Sequence, residues 1–368
     1  MDGDLRFKIG LSLLSGLDPV KMHLLLDHYG TAEAVFSEKN LDQTIDLNPK
    51  IKEKILDGSA LKKADEEIDF IEKNRIQVRF IEDADYPKRL HECPDAPIIL
   101  YSKGNSDLNT KKIIAIVGTR RCTSHGRDLT EQLVYDLAQT FPEIIIVSGL
   151  AYGIDVCAHR AALKNSLNTV AVLAHGLNEI YPPAHRKTAI EMLSNGSLIT
   201  ELPSGTPSEP WRFVQRNRIV AGLCDACVVV ESASKGGSLI TAQMASDYGR
   251  EVFAFPGRPI DLFSKGCNLL IKKQLGILVE SADDIIREMN WETALPKKAH
   301  QENLFPELQP SLQKIYDAME QGENYSSDQL ANRAHTNIGE ILSILMQLEM
   351  AGLVHALPGG LYCKKSRT

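Results

Sequence analysis

The 368-residue chain has no run approaching ~18 consecutive apolar residues, so a membrane-spanning helix is excluded. Its first ten residues, MDGDLRFKIG, lack an apolar core behind a cationic start. No secretory leader is expected, and the expected compartment is the cytoplasm. Cations are not in excess: 41 Lys and Arg stand against 48 Asp and Glu, a net charge of −7. That excludes a uniformly basic surface and leaves room only for a focused basic site. The seven cysteines are odd in number and scattered, which excludes a disulfide framework. Cys224 and Cys227 form one C-x-x-C with no second pair, running straight into an apolar strand; core packing is expected there, not a metal. No G-x-G-x-x-G starts at Gly118, and no G-x-x-x-x-G-K-[ST] loop occurs. A tightly held dinucleotide or nucleoside triphosphate is not expected, and neither is any other cofactor. No compact cluster of acidic metal ligands stands out at the strand ends, which disfavours a nuclease.

The length suggests two or three domains at roughly 100–200 residues each. Charge is uneven along the chain: residues 1–110 carry −6, residues 111–290 carry +1 and residues 306–368 carry −2. The middle is the least acidic part, and its arginines cluster at loop positions. Residues 1–75 read as short helices: Leu24, Leu25, Leu26 and Tyr29 sit at helical spacing before Gly30, and Ile51, Ile55, Leu61 and Ile68 continue the period. This resembles a SAM or helix-hairpin-helix module, with a packing or partner role favoured by its acidic surface. Residues 76–110 read as a connection with one or two short strands.

From residue 113 apolar runs alternate with helical segments. The runs are Ile113–Val117, Ile144–Val147, Thr169–Leu173, Ser197–Leu202, Ala226–Val230, Glu251–Phe255 and Ile277–Val279. They are unbroken, as expected of strands buried on both faces of a parallel sheet. Helices are expected at Leu129–Phe141, Asp155–Asn165 and Leu239–Tyr248. The predicted core is a Rossmann-like, doubly wound α/β sheet over 76–290, with ligands at the carboxyl ends of the strands. A proline-bearing linker is expected over 291–310. Helices and a terminal hairpin over 311–368 read as a winged helix. Its predicted recognition helix, Thr336–Gly352, contains no Lys or Arg and carries Glu340 and Glu349. The expectation is therefore a protein-contact or self-association module, not a groove reader.

Five loops have anion-binding chemistry. Gly118–Gly126 follows the first buried strand and opens a helix. Thr123 or Ser124 can cap it, its amides and dipole favour an anion, and Arg120 offers a phosphate fork beside Thr119. Ser148–Asp155 follows the second strand; Asp155 and His159 share a helix face, either as an acid–base pair or with Asp155 capping the helix and orienting His159. Trp211–Ile219 interleaves Arg212, Arg216 and Arg218 with Phe213 and Asn217, a pattern suited to stacked bases and paired phosphates. Lys235–Thr241 supplies a cation and a Gly-Gly nest. Tyr181–Lys187 adds Arg186, and Pro256–Gly257–Arg258 with Lys265 completes the rim. Several such loops at one sheet edge suit an extended polyanion.

Taken in order, Ile116–Arg120, Ser148–Asp155 with Ala158-His159, Tyr181-Pro182, Arg216–Ile219, Gly237–Ala242 and Phe255–Gly257 resemble the signature series of the DprA/Smf family. The resemblance is close over roughly residues 85–290, and the flanking modules match the family architecture. It implies a non-enzymatic protein that binds single-stranded DNA during natural transformation, protects it and helps load the recombinase RecA, and that forms a homodimer through the Rossmann-like domain. The family's phosphate-binding positions map to Arg120, Arg216, Arg218 and Lys235, with Ser148, Gly149 and Ser238 as backbone or hydroxyl contacts. The DNA-binding set expected on both grounds is Thr119, Arg120, Ser148, Gly149, Arg186, Arg216, Asn217, Arg218, Lys235, Gly237, Ser238 and Lys265. Gly236 departs from the serine common in the family.

The alternative is a Rossmann-like nucleoside-monophosphate hydrolase, whose Pro-Gly-Gly-x-Gly-Thr-x-x-Glu loop the Gly236–Gln243 segment loosely resembles. Here Gln243 stands at the glutamate, so the acid–base carboxylate is missing.

Overall fold

The computed structural model describes residues 3–14, 16–38, 47–291, 310–334 and 336–365. They form two compact units, Met1–Ala294 and Leu295–Thr368. Apart from its two end residues, the linker expected at 291–310 lies outside the described residues.

In the first unit nine strands form one sheet: β1 (Gln77–Phe80), β2 (Ile99–Gly104), β3 (Ile113–Val117), β4 (Ile145–Ser148), β5 (Asn168–Val172), β6 (Gly196–Thr200), β7 (Ala226–Val229), β8 (Glu251–Ala254) and β9 (Ile277–Leu278). Their order is β1-β2-β6-β5-β4-β3-β7-β8-β9. The seven strands from β6 to β9 are parallel, whereas β1 and β2 pair antiparallel at one end. The chain winds one way from β3 to β6, returns across the sheet, and winds the other way from β7. The switch point therefore lies between the carboxyl ends of β3 and β7, where doubly wound folds hold their ligands.

The apolar runs of β3 to β7 are buried, with only Asn168 at the start of β5 half-buried, as their composition predicts. The last predicted strand differs: β9 has two residues, Ile277 and Leu278, and both are exposed at the sheet edge. The run predicted to reach Leu202 stops at Thr200, whose Oγ1 accepts from the Leu202 amide and turns the chain. The helical segments of residues 3–74 share one apolar core with the sheet: Ile9, Leu25 and Ile55 belong to the same cluster as Tyr101, Val147 and Ile219. Residue 75 thus marks a change of secondary structure within one body.

The second unit has helices at Pro310–Asp317, Ser327–Ala334 and Ile338–Met350, and strands β10 (Asn324–Ser326), β11 (Val354–Leu357) and β12 (Leu361–Lys364) in the order β10-β12-β11. This is the winged-helix arrangement read from the sequence, built on its own core around Ile315, Leu330, Ile341 and Leu345.

Candidate nucleic-acid interface

The loop after β3 and the loop after β7 flank the switch point. Between them stands the helix Pro210–Leu223, continuous through the whole Trp211–Ile219 cluster. The guanidinium of Arg120, exposed on the first loop, lies 5.2 Å from the Phe213 ring centroid. Phe213 in turn meets Tyr181, with ring centroids 5.7 Å apart, and Tyr181 is 44% exposed. Asn217, one turn along the helix, donates to the Gly237 carbonyl at 3.5 Å. Segments around residues 120, 181, 213, 217 and 237 therefore converge on one surface.

The loop Lys235-Gly236-Gly237 leads into the helix Gly237–Asp247, whose N-cap is Gly236. No side chain caps this helix; the Leu239 amide donates to the Gly236 carbonyl at 3.1 Å, and among the described residues the amides of Gly236 and Gly237 meet no acceptor. Lys235 and Gly237 are exposed. Ser232 exchanges backbone bonds with Phe263 and Gly266, and this places exposed Lys265 beside the same loop. Arg186 is exposed at the start of its helix, next to His185, whose ring nitrogen meets the Leu150 carbonyl at 2.7 Å. Among the described residues, Arg120, Arg186, Lys235 and Lys265 form no ion pair.

The other predicted residues are turned inward. Arg216 is 4% exposed, and its Nη1 donates to the carbonyls of Gly149 and Val172. Burial pushes its pKa down to about 10, against the pull of Asp155. Gly149 has to be glycine: a Cβ there would lie 2.4 Å from the guanidinium. Arg218 donates to the Asp95 carbonyl at 2.7 Å and pairs with Glu201. Both guanidinium groups that the sequence offered to phosphate are thus spent on internal acceptors. Arg216 reaches the carboxyl ends of β4 and β5, Arg218 reaches Asp95 and Glu201, and Arg120 remains exposed. Ser148 Oγ donates to the Ile116 carbonyl and Ser238 Oγ to Ser232, both in buried settings, so their hydroxyls hold the loops. Thr119 gives its amide to the Glu231 carbonyl at 2.7 Å.

Asp155 does not orient His159. The histidine Nδ1 lies 2.7 Å from Thr169 Oγ1 in the core. Burial pushes the Asp155 carboxyl upward, opposed by Arg216 and the amides of Ala151 and Gly149. Cys224 and Cys227 are fully buried, and burial pushes the Cys224 thiol up to about 12, as packing residues require.

Sequence reading missed two residues. His175 accepts the Tyr181 amide on Nε2 at 3.2 Å and meets the Gly176 carbonyl through Nδ1 at 2.9 Å, which fixes the stacking residue from behind. Glu231 places its carboxylate on Thr123, at the helix N-terminus reserved above for a phosphate. The signal for Glu231 was its place immediately after a buried strand at the switch point.

Residues 77–290 match the family model for DNA recombination-mediator protein A. The chain belongs to this family. Residues 300–360 match the DprA winged helix domain. The DNA processing protein DprA of Streptococcus pneumoniae is 40% identical over 206 residues, covering 56% of this chain and 72% of that protein. Protein Smf of Escherichia coli is 36% identical over 287 residues, covering 75% and 74%. The X-ray structure of DprA from Streptococcus pneumoniae matches with a TM-score of 0.68 at 34% identity, over 77% of this chain and 97% of that one. DprA from Helicobacter pylori, described for its single-stranded DNA binding mode, matches with a TM-score of 0.52 at 30% identity, over 58% and 96%.

Proposed function

We propose that this member of the DprA/Smf family binds single-stranded DNA across the switch point between β3 and β7. The observation that carries the reading is the contact of Arg120 with Phe213, continued to Tyr181 and tied through Asn217 to the loop of Gly236 and Gly237. Phosphates sit on the amides of that loop and on Lys235, Lys265 and Arg186. Bases stack on the exposed aromatic faces, each worth ~1–3 kcal/mol. Duplex DNA fits poorly, because offering a base to such a face costs a few kcal/mol of unpairing and unstacking.

The biological role that goes with this site is protection of an incoming strand during natural transformation and loading of RecA onto it. A homodimer in the cytoplasm would set two such sites on one strand, raising avidity without new contacts. The DprA structure from Helicobacter pylori supports the choice of ligand. The protein acts by binding, not by catalysis. At the position where a nucleoside-monophosphate hydrolase needs its glutamate, exposed Gln243 donates to Asp247 on the outer face of its helix.

The experiment is fluorescence anisotropy with labelled oligo-dT and an equal-length duplex over a range of salt concentrations. Tight, salt-dependent binding of the single strand only, weakened in an Arg120→Ala, Lys235→Ala double variant, is expected. Equal affinity for both forms, or no loss in the variant, rejects the site.

A further inference from the structure

We propose that Glu231, an acidic residue beside a site for a polyanion, is the positioning residue that holds Arg120 in place. The proposal rests on the single-strand reading above.

Glu231 lies two residues beyond Val229, the last residue of β7, and is 7% exposed. It grips the loop after β3 at two points. Its backbone carbonyl accepts the Thr119 amide at 2.7 Å. Its carboxylate accepts the Thr123 amide on Oε2 at 2.9 Å and the Thr123 hydroxyl on Oε1 at 2.5 Å. The Thr123 hydroxyl then accepts the Gly126 amide at 3.0 Å, so the carboxylate also fixes the helix cap. Arg120 lies between the two clamped threonines. A Cβ on residue 126 would stand 2.4 Å from the carboxylate, so only glycine lets Glu231 reach the helix.

This geometry explains why the phosphate seat expected at the first helix is not open there. Thr123 is already loaded with an internal carboxylate, which satisfies the orphan amides and the dipole. A phosphate is repelled from that corner and directed to the bare amides of Gly236 and Gly237. The loop after β3 then contributes the Arg120 side chain, not its amides.

Two effects of Glu231 on DNA have opposite sign, so the sign of a neutral substitution decides between them. If the carboxylate is only a nearby negative charge, Glu231→Gln tightens single-strand binding. If it positions Arg120, Glu231→Gln weakens binding, because an amide offers one acceptor to two Thr123 donors.

The test uses the full chain, labelled oligo-dT and anisotropy at several salt concentrations, with wild type, Glu231→Gln, Arg120→Ala and the double variant. The expected result is a loss of about tenfold in Glu231→Gln, as for a charged hydrogen bond removed. The salt slope should fall by ~0.7, the share of one phosphate contact. In the Arg120→Ala background Glu231→Gln should add less than about twofold, because both act through one group. Binding equal to or tighter than wild type, or a loss that adds fully to that of Arg120→Ala, overturns the role. Wild-type protein that ignores oligo-dT overturns the underlying reading instead. In that case hydrogen exchange at the Thr119 and Thr123 amides, faster in Glu231→Gln or not, still reports whether the clamp exists. Should Glu231→Gln fail to fold, Thr123→Val takes its place: it removes the Oε1 bond together with the acceptor of the Gly126 amide and must weaken binding in the same direction, with Thr123→Ser restoring both.

Discussion

Arg120 stands against the ring of Phe213, its guanidinium carbon 5.2 Å from the centroid. The two side chains come from segments more than ninety positions apart and do different things for a bound strand. Arg120→Ala should weaken oligo-dT binding and reduce the salt slope by ~0.7, since one phosphate contact is lost. Phe213→Ala should cost ~1–3 kcal/mol of binding with the slope unchanged, because stacking releases no counterion. Anisotropy titrations at four salt concentrations separate the two. A changed slope in Phe213→Ala would contradict the division of labour.

Arg216 and Arg218 should behave as structural residues. Removing the Arg216 guanidinium takes a nearby positive charge from buried Asp155 and a charged donor from the carbonyls of Gly149 and Val172. Arg216→Ala is expected to lower unfolding free energy by ~2–3 kcal/mol, the cost of leaving buried acceptors without a charged donor. Arg120→Ala, at an exposed position, should stay within ~0.5 kcal/mol. Urea unfolding monitored by circular dichroism reads both.

His159 makes stability depend on pH. Burial, then Arg216 and His185, push its pKa down to about 3 in the folded chain. The unfolded chain titrates near the ordinary ~6.5. Above that value neither state holds the proton and the residue adds no pH dependence. Between about 6.5 and 3 only the unfolded state binds it, so stability falls with pH by up to ~1.4 kcal/mol per unit. Urea midpoints at pH 7, 6 and 5 should drop in wild type and drop less steeply in His159→Gln.

The winged helix should not contribute to DNA affinity. Its helix Ile338–Met350 carries no cation, and Ile338, Leu342, Met346 and Met350 form an exposed apolar ridge along it. A chain ending at Ala294 should bind oligo-dT within about twofold of the full chain, far less than the tenfold of a lost 1.4 kcal/mol. A larger loss would return this module to the DNA interface.

Much of this architecture is legible in the residues. Unbroken runs such as Ile113–Val117 identify buried parallel strands, and the loops after them locate the switch point. What stays hidden is direction. Arg216 and Arg218 read like Arg120 in a string of letters, but each meets internal acceptors outside the motif, Gly149 and Val172 for one and Asp95 and Glu201 for the other. Ser148 and Ser238 show the same limit: a hydroxyl in a loop motif serves the backbone as readily as a ligand. Glu231 was hidden because its partner, Thr123, lies 108 positions away. The antiparallel β1–β2 end is equally non-local, since nothing in Ile99–Gly104 names β6 as its neighbour.

The two loops that wall the switch point, residues 118–123 and 231–238, are joined by a long stretch of chain that builds β4, β5 and β6. β3 finds its partner β7 only after that stretch has been made. During synthesis, therefore, the amino-terminal wall emerges first and waits unclamped, with Arg120 on a loop that nothing yet holds. The last wall to appear brings both the seat for phosphate and the carboxylate that fixes the first, so the binding surface arises in one late step and an unfinished chain has no half-made version of it to offer.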